Sequence, residues 1–230
     1  MGSIDIEVSE VGPRDGLQSI SPIMATEDKK RWITALAAAG VPEIEVGSFV
    51  PASVLPQLAD TAELVSHARA IDGLAVAVLV PNLRGAENAL AVGPHKMTIP
   101  LSVSETHSLK NLKRTHEQVL AEVRGIRSAI DAQPQGQRPK LEGSLSTAFG
   151  CTLEGKVPES KVLEMAEKLL AAGCDEVGLS DTPVLPVPCR CAITPVISMN
   201  YSVAISLPVF TCTIHGARVW PMSWRPWRPA

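Results

Sequence analysis

Two oppositely charged side chains stand next to each other early in the chain, Arg14 and Asp15, within the stretch EVGPRDGLQ (residues 10–18). Gly12 and Gly16 bracket them. A carboxylate can hold a hard cation, and a guanidinium beside it can stabilise negative charge developing on an oxygen. The run just upstream alternates and reads as a strand over residues 4–11. The pair therefore falls where a strand ends. The two glycines are expected to let the backbone turn so that both side chains reach one site. By spacing alone, a surface ion pair in a turn accounts for the same residues.

Other polar groups recur at comparable places. Ser48, Asn82, Ser104 with Glu105, Thr147, and Asp181 with Thr182 each follow a strand-like run. Those runs are residues 43–46 (EIEV), 74–80 (LAVAVLV), 96–100, 140–145 and 175–179. Helical patterns lie between them. Thr26 is expected to cap TEDKKRWITALAAA, which Gly40 closes, and further helices are expected over 58–70, 83–91, 115–132 and 158–172. Five strand–helix units and a further strand imply a parallel sheet with helical crossovers. An open doubly wound sheet and a (β/α)8 barrel both fit this beat. Six consecutive strands that deliver polar groups at the same end favour a TIM barrel with its site on the C-terminal face, because an open sheet concentrates them at one switch point. No glycine-rich phosphate loop follows any strand.

Composition bounds the function. The 230 residues are 45% hydrophobic and carry a net charge of −3, which permits a sizeable core and gives no basic field for nucleic acid. Five cysteines without a CxxC fit reduced thiols and a cytoplasmic location. No apolar run is long enough for a membrane span, and the start MGSIDIEVSE is read as lacking a signal peptide.

After Thr182 the character of the sequence changes. Residues 183–230 contain no Asp, Glu or Lys, but hold Trp220, Trp224, Trp227, Cys189, Cys191, Cys212 and eight prolines. This segment shows neither helical nor strand periodicity. The domain division expected is a partial barrel over 1–182, about six strands of the (β/α)8 fold, followed by an aberrant tail over 183–230.

The motif EVGPRDGLQ resembles the first-strand signature of the hydroxymethylglutaryl-CoA lyase family. The resemblance continues, in family order, through IEVGSFVPASVLPQLAD (44–60), VPNLRGAENA (80–89), SVSETHSLKN (102–111), STAFGCTLEGKV (146–157) and GCDEVGLSDT (173–182). It implies a metal-dependent TIM barrel that cleaves hydroxymethylglutaryl-CoA to acetoacetate and acetyl-CoA. It further implies Asp15 as a ligand to Mg2+ or Mn2+, and Arg14 as the group that stabilises the enolate oxygen and binds substrate. Glu45 is a second catalytic candidate, and Gln18, Ser48 and Thr182 are substrate-binding candidates. The partner implied is an acyl-CoA, with homo-oligomerisation open to the intact fold. His67 and His116 are expected on solvated helix faces, His107 in a loop, and Cys151 and Cys174 in the core. Related acyl-CoA lyases, condensing synthases of the same superfamily, and a non-catalytic barrel fragment that binds a partner are the alternatives.

The family pattern continues with a histidine pair, HxHD, and a glycine-rich loop bearing a catalytic Cys. Neither occurs after Thr182. Shifting the frame of residues 212–230, so that each codon joins the third base of one residue to the first two of the next, permits HDTRGAGLANVLAALEAG. The same shift permits AGIHLHD over residues 207–214 and GIAGP over 183–188. One constant shift that yields family-like sequence in several places points to a frameshift near Thr182. In the frame as given the histidine pair is missing, and this chain is expected to be inactive.

Overall fold

The computed structural model of the chain describes residues 8–180, and every structural statement below concerns those residues. Asp181, Thr182 and the tail over 183–230 lie outside them.

Six strands form one sheet in the order β1 (Ser9–Glu10), β2 (Glu43–Ser48), β3 (Ala75–Leu79), β4 (Lys96–Ser102), β5 (Lys140–Ser146) and β6 (Glu176–Leu179). Every neighbouring pair is parallel. An order that never reverses has no switch point, so the choice between open sheet and barrel falls to a partial (β/α)8 barrel. The crossovers are α1 (Thr26–Ala38), α2 (Thr61–Arg69), α3 (Leu83–Leu90), α5 (His116–Asp131) and α6 (Glu159–Ala172), with a short α4 (Glu105–Asn111) ahead of α5.

Strand alternation divides the chemistry. Ile44, Val46, Met97, Ile99, Leu101, Leu141 and Leu145 join Leu64, Ile126, Ile130, Met165 and Leu169 of the helices in one buried apolar core. The residues between them in each strand face the other way. Glu43, Glu45, Lys96, Thr98, Glu142 and Ser144 line a small interior cavity of about 50 Å3. Lys96 Nζ sits there within 3.0, 3.2 and 2.9 Å of carboxylate oxygens of Glu43, Glu142 and Glu176. The inward face is therefore charged, and the core lies between sheet and helices.

Local signals account for most boundaries. Thr115 and Gln118 complete a capping box at the start of α5, and Gly173, at φ 117°, ends α6 in the left-handed conformation. Thr26 departs from expectation. It is the first residue of α1, and its hydroxyl donates to Asp60 Oδ2 at 2.8 Å instead of capping the helix. That contact joins α1 to the start of α2, where Lys29 Nζ also reaches Asp60 Oδ1 at 2.7 Å. The short α4 went unexpected because seven residues give too little periodicity to read. His107 accordingly lies on a helix, not in a loop.

Candidate active site

The stretch after β1 does not form an ordinary turn. Residues Gly12–Gly16 make one wide π-helical turn, closed by the Leu17 N–H donating to the Gly12 carbonyl. Pro13 occupies its first turn, where a missing N–H costs nothing. Of the flanking glycines, Gly12 alone meets a steric requirement. Neither has a positive φ. A Cβ on Gly12 would lie 2.7 Å from Glu10 Oε1 and 3.1 Å from the Trp32 ring, whereas one on Gly16 would meet nothing within 4 Å. Gly12 is there for close approach: its N–H donates to Glu10 Oε1 at 2.6 Å.

This turn sends Arg14 and Asp15 to the C-terminal end of the sheet. The Arg14 Nη1 donates to Asp15 Oδ1 at 2.7 Å, while its Nε and Nη2 both reach Glu45 Oε2 at 2.6 Å. Gln18 Nε2 donates to the same Asp15 oxygen at 2.5 Å. Asp15 is only 6% exposed. Burial alone would lower the Arg14 pKa, but Glu45 and Asp15 outweigh it and hold the guanidinium charged. Burial pushes the Glu45 carboxyl up despite Arg14 beside it, and Glu45 Oε1 is buried with no hydrogen-bond partner.

Arg14, Asp15 and Gln18 line a cavity of about 800 Å3 at this end of the sheet, together with His107, Arg114 and Ser146. Glu45 does not. It lies beneath Arg14 on the small interior cavity, and so acts on the larger one through the guanidinium. Ser48 lines a neighbouring cavity, and its hydroxyl accepts from the Val50 N–H at 3.2 Å. Asn82 borders both cavities, and its side chain caps α3 by accepting from the Gly85 N–H at 2.9 Å. Thr182 lies outside the described residues. The sequence candidates thus separate into three that line the main cavity, Glu45 beneath Arg14, and Ser48, which ends β2 on a neighbouring cavity.

Sequence reasoning missed the histidines. His107 Nδ1 is 2.7 Å from Ser102 Oγ, which is 2.8 Å from Ser146 Oγ. His116 is not on a solvated face; its Nε2 lies 2.8 Å from the Ser102 carbonyl. The SETH motif was visible, but a helix too short to read concealed which way it faces.

A divalent cation would find in Asp15 one buried carboxylate oxygen donor. Among the described residues there is no group of three His, Cys, Asp or Glu that could complete its shell. Nor is any helix there long and apolar enough to cross a membrane.

Similarity to known proteins follows the same geometry. The chain is 38% identical over 184 residues to the mitochondrial hydroxymethylglutaryl-CoA lyase of Mus musculus, covering 79% of this chain and 55% of that one. It is 38% identical over 177 residues to a hydroxymethylglutaryl-CoA lyase of Bacillus subtilis, covering 77% and 58%. It therefore spans about half the length of the curated relatives it matches. The crystal structure of the Bacillus subtilis HMG-CoA lyase superposes with a TM-score of 0.77 at 33% identity, covering 88% of this chain and 67% of that one. An HMG-CoA lyase of Acinetobacter baumannii in complex with coenzyme A and 3-methylmalate gives 0.72 at 33% identity, covering 79% and 59%. The HMGL-like family model matches residues 5–192, and the chain belongs to that family.

Proposed function

We propose that the cavity at the C-terminal end of the sheet is the Arg–Asp half of a hydroxymethylglutaryl-CoA lyase site. The observation that carries the reading is the delivery of Arg14 and Asp15, side by side, into one cavity of about 800 Å3. The relatives and solved structures named above support it.

In the reaction, the tertiary hydroxyl of the substrate loses its proton and the bond between C2 and C3 breaks. Acetoacetate leaves, and the two-carbon thioester is left as an enolate that must be stabilised and protonated. Arg14 suits the enolate oxygen. Three of its N–H groups are held by Glu45 and Asp15, so the guanidinium is fixed in place with donors left over. Gln18 fixes the Asp15 carboxylate from the other side. Glu45 is a positioning residue in this scheme. A hard divalent cation, Mg2+ or Mn2+, with Asp15 among its ligands, would supply Lewis-acid polarisation of the substrate oxygens. Its other protein ligands would come from the histidine pair that the shifted frame permits. A cytosolic location belongs to the same proposal and is supported by the free thiols Cys151 and Cys174.

The test uses two chains: the 230-residue protein and a version in which the shifted frame after Thr182 is restored. With Mg2+ and hydroxymethylglutaryl-CoA, the restored chain is expected to release acetoacetate and the 230-residue chain is not. Turnover by the 230-residue chain would remove the need for the histidine pair. A restored chain that ignores this thioester but cleaves or condenses another acyl-CoA would move the assignment elsewhere in the superfamily.

A further inference from the structure

His107 and Ser146 on the wall of the main cavity, and Ser102 between them, are left without a role by the lyase scheme. Ser146 on β5, Ser102 at the end of β4 and His107 on α4 form a continuous chain of hydroxyl, hydroxyl and imidazole, with links of 2.8 and 2.7 Å. Ser102 is 1% exposed, so its hydroxyl has no solvent to turn to. Its backbone is held as well, since His116 Nε2–H donates to its carbonyl at 2.8 Å. Ser104 caps α4 by accepting from the His107 N–H at 3.1 Å, and the Ser104 N–H in turn donates to Thr147 Oγ1 at 3.1 Å. The imidazole therefore stands on a fixed platform and borders the cavity that holds Arg14 and Asp15.

We propose that His107 contacts the bound acyl thioester, its Nδ1 held by the Ser146–Ser102 hydroxyl chain and its Nε2–H donating to a ligand oxygen. The inference rests on the lyase reading, because it takes the ligand to be an oxygen-rich anion. Arg14, Lys113 and Arg114 border the same cavity and suit such a ligand. An acceptor-rich ligand needs a donor from the wall, and that requirement orders the chain. Ser146 donates to Ser102, Ser102 donates to Nδ1, and the remaining ring proton sits on Nε2. Burial, aided by Lys110 on the same helix, lowers the His107 pKa, while Glu154 from the loop after β5 opposes this. The ring accordingly stays neutral at pH 7 and keeps one donor and one acceptor.

The experiment combines ring 15N NMR with calorimetric titration of the 230-residue chain by hydroxymethylglutaryl-CoA in the presence of Mg2+. His107 is expected as the Nε2–H tautomer, and Ser102→Ala is expected to yield a tautomer mixture. His107→Phe should weaken binding about tenfold, the scale of one hydrogen bond to a charged acceptor. His107→Gln keeps a side-chain N–H and should recover most of that loss. An Nδ1–H tautomer, a change under about threefold in His107→Phe, or no recovery in His107→Gln would each overturn the proposal while leaving the lyase reading intact. If only the restored chain binds the thioester, the same variants are read in it; if neither chain binds, the lyase reading falls and this inference falls with it.

Discussion

Arg14 directs Nε and Nη2 at a single oxygen of Glu45, Oε2, at 2.6 Å each, and leaves Oε1 of that carboxylate buried without a partner. A carboxylate that presents one oxygen to two donors and buries the other is held for the position of its partner. Removing one member of a buried pair leaves the other charge desolvated, which typically costs several kcal/mol. Arg14 retains Asp15, so Glu45→Ala is expected to cost about 2–3 kcal/mol, and Glu45→Gln, which keeps an acceptor oxygen, about 1 kcal/mol. Chemical denaturation measures both. A Glu45→Ala change below about 0.5 kcal/mol would show that Asp15 alone holds the guanidinium.

The glycines that bracket the pair make separate predictions. A side chain at Gly12 would displace Glu10 Oε1 from the N–H it accepts and press on Trp32. Gly12→Ala is expected to destabilise by about 1–3 kcal/mol. Gly16 has open space and no left-handed φ. Gly16→Ala should therefore be neutral, or stabilise by up to about 1 kcal/mol through the unfolded chain. Thermal melts of the two variants side by side decide it. Equal losses would return the glycines to the role of flexible hinges.

The fold was legible because alternation is cheap to read. EIEV, KMTIPLS and KLEGSLS each place apolar residues toward the helices and polar ones inward, and the strand ends then fall where polar groups gather. Arg14 and Asp15 stood out through the family motif around them, since spacing alone reads as a surface ion pair; the fold puts both on one cavity. What stayed hidden depends on distances between strands. Nothing local tells that Lys96 meets Glu43, Glu142 and Glu176 from three other strands. Nothing local tells that Ser48 ends on a neighbouring cavity and not on the one that holds Arg14 and Asp15. Glu45 contacts Arg14, and which side of Arg14 it takes is a tertiary fact.

That Lys96 cluster makes stability depend on pH. Burial pushes the Glu142 carboxyl up to about 7, with Lys96 opposing and Glu176 adding to the rise. Burial would lower the Lys96 pKa, but the surrounding carboxylates outweigh it, so the ammonium stays charged throughout the range in question. Between an unfolded value of 4.5 and a folded value of about 7, the native state binds the extra proton. Stability contributed by neutral Glu142 is thus fully present below the unfolded pKa and is lost as pH rises through the folded one. Unfolding free energies at pH 5 and pH 8 should show wild type losing ground to Glu142→Gln as pH rises. A constant difference between the two proteins would mean that Glu142 is already charged at pH 5.

The reading frame supplies the last prediction. Trp and Met have single codons, so Trp220, Met222, Trp224 and Trp227 fix several positions in residues 212–230, and among the readings that third-base choice allows elsewhere the shifted frame permits HDTRGAGLANVLAALEAG. The residues before Thr182 need no such shift, because they fold into six parallel strands and carry the family motifs as they stand. A single gained or lost base near the codon of Thr182 would account for both halves. Sequencing gene and transcript from the codon of Gly178 past the stop is expected to find it. If the frame as given stands in both gene and transcript, the chain has an Arg–Asp pair without the histidines that would complete a metal shell, and a binding role for the cavity becomes the better account.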